Sequence, residues 1–302
     1  MLGSGAVQRV LITGADGFAG RHLRSALEQR GSEAISSSAD IRDAAAVARE
    51  LRDTHPDAIA HLAAITSVAD AWSREREVWE VNALGTLNVV LAVHEHAPEA
   101  RLLVASSAEV YGRVAEDQGP VSEDRPVEPI SPYGRSKAAA ELACAREDLD
   151  VVVVRPFPHA GPGQTETFAI PSFAAQIARI EAGHAAPALR VGNLAAQRDY
   201  ADVRCVVDAY ARLLERSGEP RVVNVATGRA HSMASVLDRL LALATVEITV
   251  ELDPSQIRPA DIPWLVGSSR RLADATGWRP TRSLDETLAD VLNAAREGVA
   301  TE

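Results

Sequence analysis

Two side chains that can move a proton, Tyr133 and Lys137, lie four residues apart. The surrounding sequence predicts a helix from Ser131 to about Glu147, and Pro132 suits its first turn, where a missing N–H costs nothing. Residues four apart share one helix face, so an ammonium is expected to lie beside the phenol and to lower its pKa. Such a tyrosine passes protons near neutral pH. Most isolated pairs of this spacing are only a packed tyrosine and a solvated lysine, so the rest of the chain must decide.

A second group of reactive side chains follows a predicted strand, Leu102–Ala105. The strand leads directly into Ser106-Ser107-Ala108-Glu109, which supplies two hydroxyls and a carboxylate. Open sheets of parallel strands bind their ligands at the carboxyl ends of those strands. The sequence therefore predicts that Ser107 and Glu109 face a ligand.

Near the start of the chain, a glycine-rich turn separates a predicted strand from a predicted helix. The strand Arg9–Thr13 runs into Gly14, Gly17 and Gly20, after which apolar residues recur at helical spacing. Glycines at such a turn permit the bend and the close approach of a pyrophosphate to the helix N-terminus. The first interval is one residue longer than in G-x-G-x-x-G, and the motif alone is a weak signal for a dinucleotide.

Three serines end the second predicted strand, Glu33–Ser37. Dinucleotide-binding folds commonly carry an acidic residue there that reads the adenosine ribose, whereas this chain has Ser36-Ser37-Ser38. Small hydroxyls leave room for a 2′-phosphate, so the sequence weakly favours NADPH over NADH. Serines are also ordinary loop residues, which is the competing interpretation.

The alternation of strands and helices indicates an α/β fold with a doubly wound parallel sheet, a Rossmann fold. Residues 1–156 are predicted to form the dinucleotide-binding domain. Residues 157–302 are predicted to form a smaller, interrupted domain that mainly binds substrate, with at least one segment returning to the sheet. The main elements predicted besides those above are strands at Ala58–Ala64, Val151–Pro156, Val222–Val225 and Val246–Leu252, and helices at Ala71–His96, Ser172–Ala182, Val203–Leu214, Met233–Leu243 and Leu284–Arg296.

Composition excludes several classes of protein. The 302 residues carry a formal net charge of −11, which argues against a nucleic-acid binder. The chain has two cysteines, Cys144 and Cys205, without metal or redox spacing, and we expect buried thiols in a reducing cytoplasm. No apolar run reaches the length of a membrane span, and no metal site is predicted. His61 is expected to be a strand-end histidine with satisfied hydrogen bonds rather than a catalyst.

Four motifs lie along the chain in order: Gly14-x-x-Gly17-Phe18-x-Gly20, His61-Leu62-Ala63-Ala64, Ser107-x-x-x-Tyr111-Gly112 and Tyr133-x-x-x-Lys137. Together they resemble the extended short-chain dehydrogenases/reductases that act on nucleotide sugars. The C-terminal half adds Gly161-Pro162-Gly163-Gln164, a segment from Val191 to Arg204 that contains Arg198-Asp199-Tyr200, Arg258-Pro259 and Gly277-Trp278-x-Pro280. This pattern looks like the GDP-6-deoxy-4-keto-mannose reductases, which form GDP-rhamnose, and their neighbours, the GDP-mannose 4,6-dehydratases.

The resemblance assigns a role to each reactive residue. It makes Tyr133 the acid/base, Lys137 the residue that tunes it and holds the nicotinamide ribose, and Ser107 the second donor to the sugar oxygen. Glu109 matches the base of the dehydratases. The residues that the resemblance places on the cofactor, NADP(H) or NAD(H), are Gly14, Asp16, Gly17, Phe18, Ala19, Ser36, Asp40, Ile41, Leu62, Ala63, Ala64, Tyr133 and Lys137. Those that it places on the sugar nucleotide are Ser107, Glu109, Asn193, Arg198 and Arg258.

Four departures separate the chain from these families. Pro158 stands where they usually carry Asn, Asp261 replaces a Glu, and Ser268 replaces an Asp. The connection between the second strand and Asp40 is also shorter than in most relatives.

The resemblance implies reduction of the C4 ketone of a nucleotide-linked 4-keto-6-deoxyhexose, with GDP-4-keto-6-deoxy-D-mannose giving GDP-D-rhamnose. The alternatives are a GDP-mannose 4,6-dehydratase or a nucleotide-sugar 4-epimerase and, from another class, a non-catalytic cofactor-sensing protein on the same fold. The resemblance also implies a homodimer formed through the helices at Ala71–His96 and Tyr133–Glu147.

Overall fold

A six-stranded parallel sheet forms the centre of the molecule. The computed structural model describes residues 8–256 and 262–301. The strands of the described chain are β1 (Arg9–Thr13), β2 (Glu33–Ser36), β3 (Ala58–His61), β4 (Arg101–Ala105), β5 (Val151–Pro156), β6 (His159–Ala160), β7 (Ala188–Val191), β8 (Gln197–Arg198), β9 (Ala201–Asp202), β10 (Val222–Val225), β11 (His231–Ser232), β12 (Thr249–Leu252) and β13 (Trp264–Leu265). The strand order of the six-stranded sheet is β10-β5-β4-β3-β1-β2.

Helices cover both faces of this sheet. The α-helices of the described chain are α1 (Phe18–Gln29), α2 (Ala44–Thr54), α3 (Glu75–Trp79), α4 (Thr86–His96), α5 (Pro132–Ala143), α6 (Ala169–Glu181), α7 (Val203–Leu214), α8 (Met233–Leu241), α9 (Arg270–Thr276) and α10 (Leu284–Val299). Single turns of 3-10 helix lie at Asp70–Trp72, Ala108–Tyr111, Glu116–Gln118 and Pro254–Gln256, and a π-helical turn lies at Glu80–Gly85.

The pleat of the strands explains why both faces of the sheet are apolar. Successive side chains of a strand point to opposite faces, so Val10 and Ile12 pack in the core beside α1 and α7. Leu11, between them, packs in the core beside α2 and α4. Strands buried on both faces read as continuous apolar runs, and the fold is the doubly wound sheet that the sequence predicts.

The second half of the chain is interrupted. Strand β10 lies at the edge of the six-stranded sheet beside β5. Helices α6, α8 and α10 and strand β7 form a separate apolar core. Short strands β8, β11 and β13 form a three-stranded sheet of their own.

The long helix predicted at Ala71–His96 is broken into several pieces. A π-helical turn at Glu80–Gly85 lies between α3 and α4. Within this turn the Asn82 side chain accepts a hydrogen bond from Ile65 N at 2.8 Å and donates to Ile65 O at 3.0 Å. Gly85 packs so closely against Ile41 that an added Cβ would lie 2.7 Å from its Cδ1. The helix is therefore interrupted where Asn82 and Gly85 make tertiary contacts, and helical periodicity alone does not predict such contacts.

Helix α5 also ends earlier than predicted, at Ala143 rather than near Glu147. Cys144 is buried, and the Arg146 N–H closes a tight turn on the Cys144 carbonyl. This turn brings Leu149 into the apolar core that contains Cys144, immediately before β5. Burial of these two residues therefore ends the helix.

Candidate active site

The reactive pair Tyr133 and Lys137 lies on the first turns of α5. Ser131 caps the helix by accepting a hydrogen bond from Gly134 N at 3.0 Å, and Pro132 occupies the first helical position. A Cβ at Gly134 would lie 2.8 Å from the carbonyl of Glu109, so only glycine fits there. This close packing sets the start of the helix against the segment that follows β4.

The end of β4 contacts both members of the pair. Lys137 Nζ donates to the carbonyl of Ala105 at 2.8 Å, and Ser107 hydrogen bonds with Tyr133. The Ser107 hydroxyl also accepts from Glu109 N at 3.1 Å. The structure therefore brings Ser107 to Tyr133 and Lys137, which lie well beyond it in the sequence.

Burial sets the pKa of Tyr133, contrary to the sequence-based expectation. Loss of water around the phenol raises its pKa to about 12, and the nearby Glu109 carboxylate acts in the same direction. The hydrogen bond with Ser107 opposes the rise. The prediction that the Lys137 ammonium lowers this pKa is wrong here, because the ammonium donates to Ala105 O in a buried site. In this state the phenol is protonated at neutral pH and is a proton donor.

Lys137 loses much of its preference for the charged form on burial. Desolvation lowers its pKa to about 8, while Cys144 and Glu141 act to raise it. Its ammonium in turn adds to the burial that lowers the pKa of His61 to about 3. The charge of Lys137 therefore changes within the pH range in which enzymes are assayed.

Glu109 lies at the same end of the helix. Ser131 Oγ lies 3.4 Å from its carboxylate, and this carboxylate helps raise the pKa of Tyr133. All four residues predicted to be catalytic thus lie in one cluster, at the carboxyl end of β4. The arrangement holds a protonated phenol, a hydroxyl, an ammonium and a carboxylate side by side.

The glycine turn after β1 has the shape required for a phosphate. Gly14 has a φ of 71°, and a Cβ there would lie 2.7 Å from Ala63 N. A Cβ at Gly20 would lie 2.2 Å from Gly14 O. Gly17 precedes α1 and supplies no side-chain cap, so the first N–H groups of the helix are available to an anion. These residues fit the diphosphate of a dinucleotide; Asp16 belongs to the same turn, and Phe18 and Ala19 are the first two residues of α1.

Four of the predicted cofactor residues line one cavity beside this turn. Asp40 and Ile41 form one wall, and Ala63 and Ala64 form another wall, of a cavity of about 280 Å³. A hydrogen bond from Arg42 lowers the pKa of Asp40 to about 2, so its carboxylate is charged. Leu62, which precedes Ala63 and is also predicted to contact the cofactor, donates its N–H to Thr13 O at 3.1 Å.

A carboxylate lies at the serine tip of β2 although the tip sequence contains none. Glu50 on α2 accepts hydrogen bonds from Ser37 Oγ at 2.5 Å and from Ser38 N at 2.7 Å. Ser36 and Ser38 line a second cavity together with Glu50 and Asp40. Sequence analysis missed Glu50, because it lies 13 residues beyond Ser37 and reaches the tip only through packing of α2.

His61 lies buried between two threonines. Its Nδ1 is 2.7 Å from Thr13 Oγ1, and its Nε2 is 3.0 Å from Thr86 Oγ1. Both ring nitrogens have hydrogen-bond partners, as the sequence predicts.

Besides Ser107 and Glu109, the residues predicted to hold the sugar nucleotide lie in the second half of the chain. Arg198 is on β8, outside the six-stranded sheet, and donates from Nη1 to Gln197 O at 2.9 Å. Asn193 is exposed in the connection before β8 and accepts from Ala195 N at 2.9 Å. Arg258 and Asp261 lie outside the described residues.

A buried carboxylate next to Arg198 fixes the local backbone. Asp199 accepts hydrogen bonds from Thr227 N and Oγ1, from Gly228 N, and from Gly267 N at 3.3 Å. Burial raises its pKa, and these hydrogen bonds oppose the rise. Asp199 thereby ties β8 to the segments after β10 and β13, and it is a second residue whose role the sequence did not indicate.

Within residues 8–256 and 262–301, no cluster of three or more His, Cys, Asp or Glu side chains has the arrangement of a metal site. A search of those same ranges finds no helix that is both long and apolar enough to span a membrane. Cys144 and Cys205 are free and buried.

The fold and the Ser-Tyr-Lys cluster define an extended short-chain dehydrogenase/reductase, a class of oxidoreductase with a nicotinamide-dinucleotide fold. The model of the GDP-mannose 4,6-dehydratase family matches residues 35–291, and the chain belongs to this family.

Two further comparisons give individual relatives. The chain is 36% identical to the GDP-6-deoxy-D-mannose reductase of Pseudomonas aeruginosa over 95% of this chain and 96% of the relative. Among solved structures, RMD from P. aeruginosa complexed with NADPH has a TM-score of 0.88 at 34% identity, covering 96% and 100% of the two chains. UDP-glucose 4-epimerase of Thermus thermophilus in complex with NAD has a TM-score of 0.85 at 30% identity, covering 96% and 99%.

Glu50 is expected to oppose the binding of a 2′-phosphate, because its carboxylate lies against Ser37 and Ser38, where the adenosine ribose is read. We expect Glu50→Gln to raise the ratio of kcat/KM for NADPH to that for NADH by at least about threefold, or ~0.7 kcal/mol. Steady-state kinetics with both cofactors measures this ratio. Glu28→Gln, on the exposed side of α1, is the control. A ratio that changes equally little in both variants contradicts the prediction.

Proposed function

We propose that the protein reduces the C4 ketone of a nucleotide-linked 4-keto-6-deoxyhexose, converting GDP-4-keto-6-deoxy-D-mannose to GDP-D-rhamnose. The observation that carries the proposal is the protonated, buried Tyr133 hydrogen-bonded with Ser107 beside the Lys137 ammonium. The name of the P. aeruginosa relative, GDP-6-deoxy-D-mannose reductase, supports the choice of substrate.

The residues of the chain bind the substrate and the cofactor, and one of them transfers the proton. Ser107 and Tyr133 hydrogen bond to the C4 oxygen, and Tyr133 gives it a proton as the carbonyl carbon is reduced. In its charged form Lys137 donates hydrogen bonds to the nicotinamide ribose. When bound, the reduced nicotinamide supplies the hydride.

The cofactor is NADP(H) or NAD(H), with a weak preference for NADPH. The glycine turn takes the diphosphate, and the cavity of Asp40, Ile41, Ala63 and Ala64 takes the adenosine. The serines of the β2 tip favour the 2′-phosphate, whereas Glu50 opposes it. A preference for NADH of more than about tenfold in kcat/KM, roughly 1.4 kcal/mol, contradicts this assignment.

The position of Glu109 favours a 4,6-dehydratase as the second candidate. Dehydration needs a base at C5 and an acid for the departing hydroxyl, and Glu109 lies close enough to Tyr133 to affect its pKa. A ketone reductase needs neither group. Gly161-Pro162-Gly163-Gln164 resembles the reductases, and this segment decides for reduction. The 4-epimerase remains a third alternative on the same fold.

We further propose that residues 1–156 bind the dinucleotide and that residues 157–302 mainly bind the sugar nucleotide. Arg198 and Arg258 meet the diphosphate and ribose, and Asn193 lies nearby, because guanidinium groups form paired hydrogen bonds with phosphate. The protein works in the cytoplasm.

An apolar surface supports the homodimer. Leu84, Leu87 and Leu91 are exposed at and after the π-helical turn, and Leu142 is exposed near the end of α5, which packs against α4. Leucines grouped in this way favour a two-fold interface in which the same helices of both copies meet.

The reaction is tested with GDP-4-keto-6-deoxymannose and NADPH. We expect stoichiometric loss of absorbance at the reduced-nicotinamide band and formation of a GDP-6-deoxyhexose. Tyr133→Phe removes the proton donor and is expected to lower kcat by about 10²–10⁴-fold. The melting temperature of the variant serves as the control for folding. Conversion of GDP-mannose to the keto sugar without added reductant, or full activity of Tyr133→Phe, contradicts the proposal.

Binding of the nucleotide part is tested by calorimetry with GDP. Arg198→Ala and Arg258→Ala are each expected to weaken GDP binding by more than about 1.5 kcal/mol, because a charge-assisted hydrogen bond is lost. The affinity for NADPH should stay unchanged in both variants. The exposed Arg216→Ala is the charge-matched control. An unchanged GDP affinity, or an equal loss for NADPH, contradicts the assignment.

The dimer is tested by light scattering after size-exclusion chromatography. The wild-type protein is expected to be a dimer, and Leu91→Glu a monomer, because a carboxylate cannot be buried unpaired in the interface. Leu243→Glu is the matched control, since Leu243 is 41% exposed and Leu91 46% exposed. A monomeric wild-type protein, or a dimeric Leu91→Glu, contradicts the interface.

A further inference from the structure

One face of α5 contacts three consecutive residues at the end of β4. Tyr133, Lys137 and Glu141 lie at successive intervals of four residues and therefore on one helix face. Tyr133 hydrogen bonds with Ser107, Lys137 donates to Ala105 O at 2.8 Å, and Glu141 accepts from Ser106 Oγ at 2.5 Å. Glu141 thus extends by one turn the row of contacts made by the two catalytic residues.

A buried arginine holds Glu141 in place from a neighbouring strand. Arg155 on β5 donates from Nε to Oε1 of Glu141 at 2.9 Å and from Nη2 to Oε2 at 2.6 Å. The side chains of Arg155 and Glu141 are only 7% and 12% exposed. Arg155 also donates to the hydroxyl of Tyr111 at 3.0 Å and lies over its ring, 4.9 Å from the centroid. These contacts fix the carboxylate from outside its own helix.

Few titratable groups lie near Lys137, so each of them can affect its pKa. On its own helix the neighbouring titratable groups are Glu141 and Tyr133, and Cys144 follows at the helix end. From β3 the neutral ring of His61 faces it, and from β5 the guanidinium of Arg155 lies beyond Glu141. Glu141 is the carboxylate that acts to keep Lys137 charged despite its burial.

We propose that Glu141 is a positioning residue of the active site: its hydrogen bonds with Ser106 and Arg155 fix the register of the catalytic helix against residues 105–107 and hold its carboxylate one turn beyond Lys137. The inference rests on the proposed function only in that Lys137 is taken to hold the nicotinamide ribose. In this role Glu141 acts through Ser106 and Lys137.

The direct test measures NADPH affinity as a function of pH by fluorescence titration of the reduced nicotinamide. A bound ammonium is lost as pH rises through the pKa of Lys137, so affinity falls on the alkaline side. Removing the carboxylate lowers that pKa. For Glu141→Gln we therefore expect the alkaline fall in affinity to move down by about half a pH unit or more. An unchanged midpoint overturns the proposal.

Two variants separate positioning from plain stability. Glu141→Asp keeps the charge and is expected to restore the alkaline midpoint toward wild type. Asp150→Asn breaks another ion pair, between the partly buried Asp150 and the buried Arg101 at the opposite end of β4, and it is expected to lower the melting temperature without moving the midpoint. A midpoint that moves equally in Asp150→Asn and Glu141→Gln shows a general loss of structure and overturns the proposal.

Ser106→Ala keeps the test decisive if Glu141→Gln does not fold. It removes only the hydrogen bond to Glu141, and we expect it to lower kcat at least about threefold with little change in KM for NADPH, because Ser107 is displaced from Tyr133. Wild-type kcat in Ser106→Ala contradicts the register role. If NADPH binding responds as expected but no keto sugar is reduced, the proposed function fails while Glu141 keeps its assigned role.

Discussion

The candidate active site depends on one constraint, which is the burial of a charged lysine, Lys137 of α5, against the end of strand β4. Lys137 loses water, and its pKa falls to about 8. The carbonyl of Ala105 supplies a hydrogen bond in place of that water, and Glu141 supplies an opposing charge. Because α5 must lie where Lys137 reaches Ala105 and Glu141 reaches Ser106, Tyr133 is brought to Ser107. A helix shifted by one turn would break all of these contacts together.

The same packing accounts for other features around the site. Gly134 allows the helix start to approach Glu109 closely, and Gly14 allows the phosphate turn to approach Ala63. Asn82 donates to Ser136 Oγ at 3.0 Å and also bonds both backbone groups of Ile65. The cavity that Ile65 helps to line and the helix that carries the catalytic candidates are therefore joined through one buried amide. Side chains between elements, more than the elements themselves, set the geometry.

Much of the fold follows from local sequence. The apolar runs predict the sheet strands, and the glycine turn and the Ser131-Pro132 start predict where α1 and α5 begin. The four catalytic candidates are also found together as predicted. Hydrophobic periodicity does not predict the structure where contacts with residues distant in the sequence determine it, as at the π-helical turn around Asn82. It also could not give the pKa of Tyr133, because the spacing to Lys137 says nothing about how deeply the phenol is buried.

Glu50 and Glu141 illustrate two kinds of residue that a motif overlooks. Glu50 reaches the β2 tip through the packing of a separate helix, so no local sequence pattern predicts its position there. Glu141 had an available signal, since it continues the four-residue spacing of Tyr133 and Lys137. The sequence did not indicate its partner, because Arg155 lies on a different element, strand β5.

The central claim, hydride transfer to C4 of a keto sugar, is tested most directly with NADPH deuterated at C4 of the nicotinamide on the transferred face. After reaction with GDP-4-keto-6-deoxymannose, mass spectrometry and NMR locate the label. The account predicts one deuterium at C4 of the GDP-6-deoxyhexose for each cofactor oxidised. A sugar product that carries no deuterium, or a substrate consumed while the cofactor stays reduced, would contradict it.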